Sequence, residues 1–172
     1  EKATEGGIMA FMDVNAGKDP VVDADYAEKG YQLHRKAARE AQRLVESLKS
    51  QEISGKEDNG ESEKANQSIR EALKRSLDSL FEAGLCGLYG GTNSYAQRAF
   101  EAAQDVKKEY TQYIALNRQS KAIFQSEEWV SFQSTCGDLS YHLALSYMKS
   151  GKIAYTLDEC DGAWDYYAID DN

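Results

Sequence analysis

Asp138, His142 and Ser146 stand four residues apart, an acid, a base and a hydroxyl in line. On a helix that spacing places all three on one face. These are the residue types of acyl transfer, in which an acid orients an imidazole that takes the proton of a hydroxyl nucleophile. Helix geometry argues against that chemistry here. Parallel side chains on one face do not converge on a carbonyl carbon, and no oxyanion-hole loop is evident nearby. The plainer reading is a surface histidine paired with Asp138, and no catalytic residue is expected.

Cysteine chemistry is the next candidate. Cys86, Cys136 and Cys160 are too few for a disulfide framework, and an odd count leaves one thiol unpaired or paired between chains. Cys136 lies fifteen residues before Gly151 and Cys160 nine after it. In an ideal helical hairpin turning at Gly151 their offset is roughly 9 Å at about 1.5 Å rise per residue. A disulfide needs α-carbons within about 7 Å, so a Cys136–Cys160 bond requires an irregular turn or a late start to the returning helix. Three small buried thiols are the alternative, and Cys86 competes for either partner.

Binding chemistry is concentrated at the C-terminal end. Asp158, Glu159, Asp161, Asp165, Asp170 and Asp171 are six acids without a base, interleaved with Trp164, Tyr166 and Tyr167. One sign of charge steers a basic partner and neighbouring aromatics supply contact area. Asp161, Trp164, Asp165, Tyr166, Tyr167, Asp170 and Asp171 are therefore the candidate contacts for a protein with a basic surface. Two rivals stand beside this reading. The aromatics can pack in the core, the favoured alternative for Trp164. The acids can neutralise the ridge of Arg35, Arg39 and Arg43, which has Lys36 beside it.

Metal chemistry is poorly supported. Asp13, Asn15, Asp19, Asp23 and Asp25 resemble the start of an EF-hand or dockerin calcium loop. The resemblance breaks at Gly17, where the fifth-position ligand belongs, and at Ala24, where the closing glutamate belongs. A capped turn is expected instead. With only His34 and His142, and the cysteines scattered singly, no zinc or haem signature exists, and no cofactor is expected. Asn66-Gln67-Ser68 is a formal glycosylation sequon that by itself implies nothing.

The elements that must position these groups read as helices. Trp129, Phe132, Cys136, Leu139 and Leu143 recur at steps of three and four, one stripe of a helix. Ser150-Gly151-Lys152 stops it, and Ile153–Ile169 returns as a second helix. The organising unit is this hairpin. Before it, Asp23 or Asp25 caps a helix running to about Gln51, with Tyr26, Leu33, Ala37, Ala41, Leu44 and Leu48 as its core stripe. Residues 54–64 read as an exposed loop. A helix from about Ser62 to Leu85 carries Ile69, Leu73, Leu77, Leu80, Phe81 and Leu88, and Gly84, Gly87 and Gly90-Gly91 close it. A further helix, capped by Thr92, Asn93 or Ser94, carries Tyr95, Ala99, Ala102, Val106, Tyr110 and Tyr113 toward Phe124, with a break expected near Asn117.

Together these predict one all-α domain over 1–172, an antiparallel bundle of four to five helices, with an irregular segment 1–22 and an acidic end 158–172. Ile8, Met9, Phe11 and Met12 are expected to pack on it as a lid. Near absence of proline, with Pro20 alone, agrees with long helices. The stretch Ala83–Ala103 (AGLCGLYGGTNSYAQRAFEAA) resembles part of a Sel1 or tetratricopeptide hairpin, and Ser146–Trp164 has a similar tyrosine–glycine spacing. That resemblance implies a short helical-hairpin repeat as the alternative fold, although no constant period connects the two stretches.

A net charge of −9 disfavours nucleic acid and anionic lipid, since both need surplus lysine and arginine. No run of about eighteen apolar residues exists, so no membrane span is expected. The first residue, Glu1, suits a processed or a trimmed start. The expectation is a non-catalytic, secreted or periplasmic protein-binding module such as an inhibitor, immunity protein or envelope adaptor. A structural or assembly subunit of a cell-envelope complex, an enzyme with an unrecognised site, and a cytoplasmic location are the alternatives.

Overall fold

A computed structural model describes residues 24–54, 59–116 and 127–167, and these form five α-helices with no strand among them. They are α1 (Ala24–Ser54), α2 (Asn59–Tyr89), α3 (Asn93–Leu116), α4 (Glu127–Lys149) and α5 (Ile153–Tyr167). Each packs mainly on its neighbours in sequence, α1 on α2, α2 on α3 and α4 on α5, with α4 resting more lightly on α3. The all-α bundle is thus as expected. The lid segment and the calcium-like stretch up to Asp23 lie outside the described residues, as do Phe124, Asp170 and Asp171.

α2 is central because its apolar stripe faces three neighbours. Ile69, Leu73, Leu77, Leu80 and Leu88 are all buried, in one cluster with Phe100, Val106 and Tyr110 of α3 and Phe132, Cys136, Leu139 and Leu143 of α4. The stripes expected on α2 and α4 therefore form the core. Both ends of α2 differ from expectation. It begins at Asn59, within the stretch read as a loop, and continues through Gly84 and Gly87 to Tyr89.

Those two glycines let helices approach rather than end one. A Cβ at Gly87 would lie 2.8 Å from the backbone nitrogen of Ala96, and one at Gly84 would lie 2.1 Å from the Phe100 ring. Alanine at Gly87 must push α3 away, because the obstacle is backbone. Gly87→Ala is expected to destabilise the fold by about 1–3 kcal/mol despite alanine's better helix propensity. A urea midpoint unchanged or raised in this variant would refute the close crossing.

Both hairpin turns are built alike. Gly91 and Gly151 have φ of 77° and 71°, a left-handed backbone that costs glycine little. The amide after each reaches back to the helix, Thr92 to the Gly87 carbonyl at 2.9 Å and Lys152 to the Tyr147 carbonyl at 2.9 Å. This is a Schellman stop, as the Ser150-Gly151-Lys152 pattern indicated. Amides from α3 then tie the hairpins together: Asn93 Nδ2 donates to the Ser146 carbonyl at 3.1 Å, and Gln97 Nε2 to Ser150 Oγ at 2.6 Å.

α1 departs from its expected phase. It buries Ala27, Tyr31, Ala38 and Val45, while Tyr26, Leu33 and Leu44 are 53%, 61% and 45% exposed. The reason is close approach to α2. At its N-terminal end a Cβ at Gly90, in the turn after α2, would fall 2.4 Å from Ala27 Cβ; further along, Ala38 and Val45 are buried and Leu48 packs on the core, while Leu33 and Leu44 stay outside. Tyr31 stacks on Tyr95 of α3 at 5.1 Å, and Lys49 pairs with Glu109 across to α3.

Candidate functional site

The triad-like residues occupy α4, but their surroundings differ from expectation. His142 is buried, not on the surface, with Phe81, Tyr89, Phe100 and Tyr141 rings within 5.1–6.3 Å of its own. The helix turns it into the seam with α2 and α3, one step from the buried Leu139 and Leu143. Burial lowers its pKa to about 4, only partly opposed by Asp138, because the aromatic box solvates a cation poorly. Its Nδ1 has no hydrogen-bond partner among the described residues. Ser146 is fully buried, and its hydroxyl donates to the Leu143 carbonyl at 3.0 Å. An enclosed imidazole and an engaged hydroxyl make this constellation part of the core.

The Cys136–Cys160 disulfide does not form. All three cysteines are free thiols; Cys86 and Cys136 are buried and Cys160 is exposed. Cys136 points with Phe132 and Leu139 into the central cluster, whereas Cys160 lies on the outward side of α5. Burial lifts the Cys86 thiol to about 11 and the Cys136 thiol to about 12, so both stay protonated and poorly nucleophilic at neutral pH.

The C-terminal helix divides its residues between two faces. Its inward face is small: Ala163 is buried, and Thr156, Glu159, Gly162 and Tyr166 are half-buried against α4 and α3. Its outward face is larger and apolar. Ile153, Leu157, Cys160 and Trp164 recur at steps of four, three and four; Ile153 is 71% exposed, Leu157 61% and Trp164 74%. Along one edge of this stripe run Asp158, Asp161 and Asp165, all exposed. Trp164 is therefore a surface residue, contrary to its favoured assignment to the core. The 4-3-4 spacing was readable in the sequence, but periodicity cannot tell which of two possible stripes faces inward.

The predicted contacts separate accordingly. Asp161, Trp164 and Asp165 share the outward side of α5, while Tyr166 turns in, with Lys107 4.9 Å above its ring. Asp170 and Asp171 and the side chain of Tyr167 lie outside the described residues. Glu159 serves the fold: Gln104 Nε2 donates to it at 3.3 Å. Burial raises its pKa, the Ser140 hydrogen bond and Lys107 lower it, and Asp158 raises it again. The arginine ridge sits on α1, which packs on α2, whereas the acids sit on α5, which packs on α4.

A groove of about 500 Å³ lies between α3 and α5, floored by Leu143 and Tyr147. Its polar groups answer one another. Tyr147 donates its hydroxyl proton to Glu101 at 3.3 Å, and burial together with Glu101 pushes the phenol up to about 12. Lys107 covers Tyr166 and Gln104 holds Glu159, so the groove reads as the seam that fixes α5. Among the described residues no cluster of three or more histidine, cysteine or acidic side chains is arranged to hold a metal ion. No helix among them is long and apolar enough to cross a membrane.

Comparison with protein-family models, with curated proteins and with solved structures finds no match to this chain.

Proposed function

We propose that this chain is a non-catalytic protein-binding module whose docking face is the outward side of α5. One observation carries the reading: Trp164, the most exposed of the large hydrophobic side chains among the described residues, shares a continuous stripe with Ile153 and Leu157, edged by acids of a single sign. Tryptophan is enriched among residues that dominate interface energy, and an acidic rim favours a basic partner. A structural or assembly subunit is the second reading. The exposed Tyr26, Leu33 and Leu44 of α1 favour it, because they form a second apolar face on a different helical pair.

A photo-reactive phenylalanine analogue placed at Leu157 in the native host tests the docking face, with the same group at exposed Lys36 as control. A discrete adduct from position 157 and none from 36 supports it; equal labelling at both rejects it. Charge removal separates docking from folding. Asp161→Asn with Asp165→Asn is expected to change folding free energy by less than about 0.5 kcal/mol, since both side chains are exposed. The same pair should reduce the adduct yield at position 157. A loss of stability above about 1 kcal/mol would make these acids an internal clamp instead.

A further inference from the structure

We infer that the occupant of the α5 face is a single amphipathic helix with lysine or arginine along one edge of its apolar stripe. The inference rests on the docking-face reading above and specifies the partner. Ile153, Leu157, Cys160 and Trp164 follow the alternating steps by which a helix presents a seam to another helix. The stripe spans three turns, roughly 17 Å at 1.5 Å per residue. That is the footprint of one helix lying alongside rather than of a broad flat surface.

Charge selects the sequence of that helix. α5 contains Asp158, Glu159, Asp161 and Asp165 and no lysine, arginine or histidine. The exposed acids follow one edge of the stripe only, so complementary bases belong on the facing edge. Two α5 stripes fit each other poorly. Antiparallel pairing of two α5 stripes about a twofold axis would bring both acid rows to the same edge, between molecules that each carry a net charge of −9. The α1 face is less selective. Lys36 and Glu40 pair at 3.9 Å on that helix, so its charges are mixed in sign.

Fluorescence anisotropy with labelled synthetic peptides and the full chain tests this. The probes are a helical peptide with a leucine seam and a lysine/arginine edge, its glutamate-edged counterpart, and a scrambled basic peptide of identical composition. The basic helix is expected to bind at least about tenfold more tightly than either control, and to weaken with salt. Trp164→Ala should cost about tenfold or more, and Asp161→Asn with Asp165→Asn should remove most of the salt dependence. Equal binding of the scrambled peptide overturns the helical partner; equal binding of the acidic peptide overturns the basic one. Self-association of the chain that Trp164→Ala abolishes would make a second copy the occupant and overturn the inference. Peptide binding that rises about tenfold after Ile8, Met9, Phe11 and Met12 are replaced by serine would make the chain's own N-terminal segment the occupant, with the same result. Absence of peptide binding with a discrete adduct at position 157 overturns the basic-helix partner and leaves the docking face; absence of both removes the docking face as well.

Discussion

Phe100→Ala is expected to lower folding stability by about 3–5 kcal/mol and to reverse the effect of a substitution one helix away. The Phe100 ring is fully buried, lies against Gly84 of α2 and stacks on His142 of α4 at 6.3 Å, so it joins three helices. With Phe100 present, Gly84→Ala drives a methyl into a ring that is enclosed on all sides, at an expected cost of about 1–3 kcal/mol. With Phe100 removed, that methyl has space, and alanine's helix propensity favours it by about 1 kcal/mol. Urea denaturation of the four species in this cycle decides the matter. A Gly84→Ala effect of the same sign and size in both backgrounds would show that the two residues are not locked together.

His142→Phe is expected to remove an acid sensitivity built into the core. The folded pKa of His142 is about 4 against an ordinary 6.5, because burial opposes the charged ring. Between those values the unfolded chain binds more protons than the folded one, so stability falls as pH drops from about 6.5 to about 4. Below both values the penalty is complete, on the order of 3 kcal/mol. Glu82 and Glu159 act in the opposite sense. Burial raises both carboxyl pKa values, so the folded state holds their protons more readily and gains as pH falls. The difference between wild type and His142→Phe isolates the imidazole. Phenylalanine suits the box of Phe81, Tyr89, Phe100 and Tyr141 and removes the unpartnered Nδ1. The variant should match or exceed wild type at pH 7, with its advantage growing by about 2 kcal/mol or more toward pH 4.5. Parallel stability curves over that range would contradict a buried neutral histidine.

These effects arise where three helices meet. Phe81, Phe100 and His142 come from α2, α3 and α4, and spacing in the sequence puts only Phe81 of the three on a core stripe. The α3 stripe holds at Ala99, Val106 and Tyr110, but spacing alone selects Tyr95 and Ala102 where the adjacent Ala96 and Ala103 are buried, and so passes over Phe100. Sequence alone puts His142 at the surface, because a titratable residue near an acid usually sits there. Neither assignment can be corrected from spacing, since each depends on the ring that fills the space opposite.

By itself the sequence determined the helices, their two glycine stops and the stripes of α2 and α4. Long proline-free segments with strong 3.6-residue periodicity leave little choice, and left-handed Gly91 and Gly151 follow from local backbone chemistry. Only the tertiary structure decided which face of α1 and of α5 turns inward. Each of these helices carries a larger apolar stripe and a smaller one. Where the helices approach closely alanines go in, Ala27 and Ala38 on α1 beside Tyr31 and Val45, and Ala163 on α5, while Leu33, Leu44, Leu157 and Trp164 remain outside. Helices that lie close together gain more from continuous packing along their length than from burying a few bulky residues at greater separation. That preference belongs to the pair of surfaces, not to either sequence segment. It turns Trp164 from an expected core residue into the most exposed large hydrophobic residue of the proposed docking stripe.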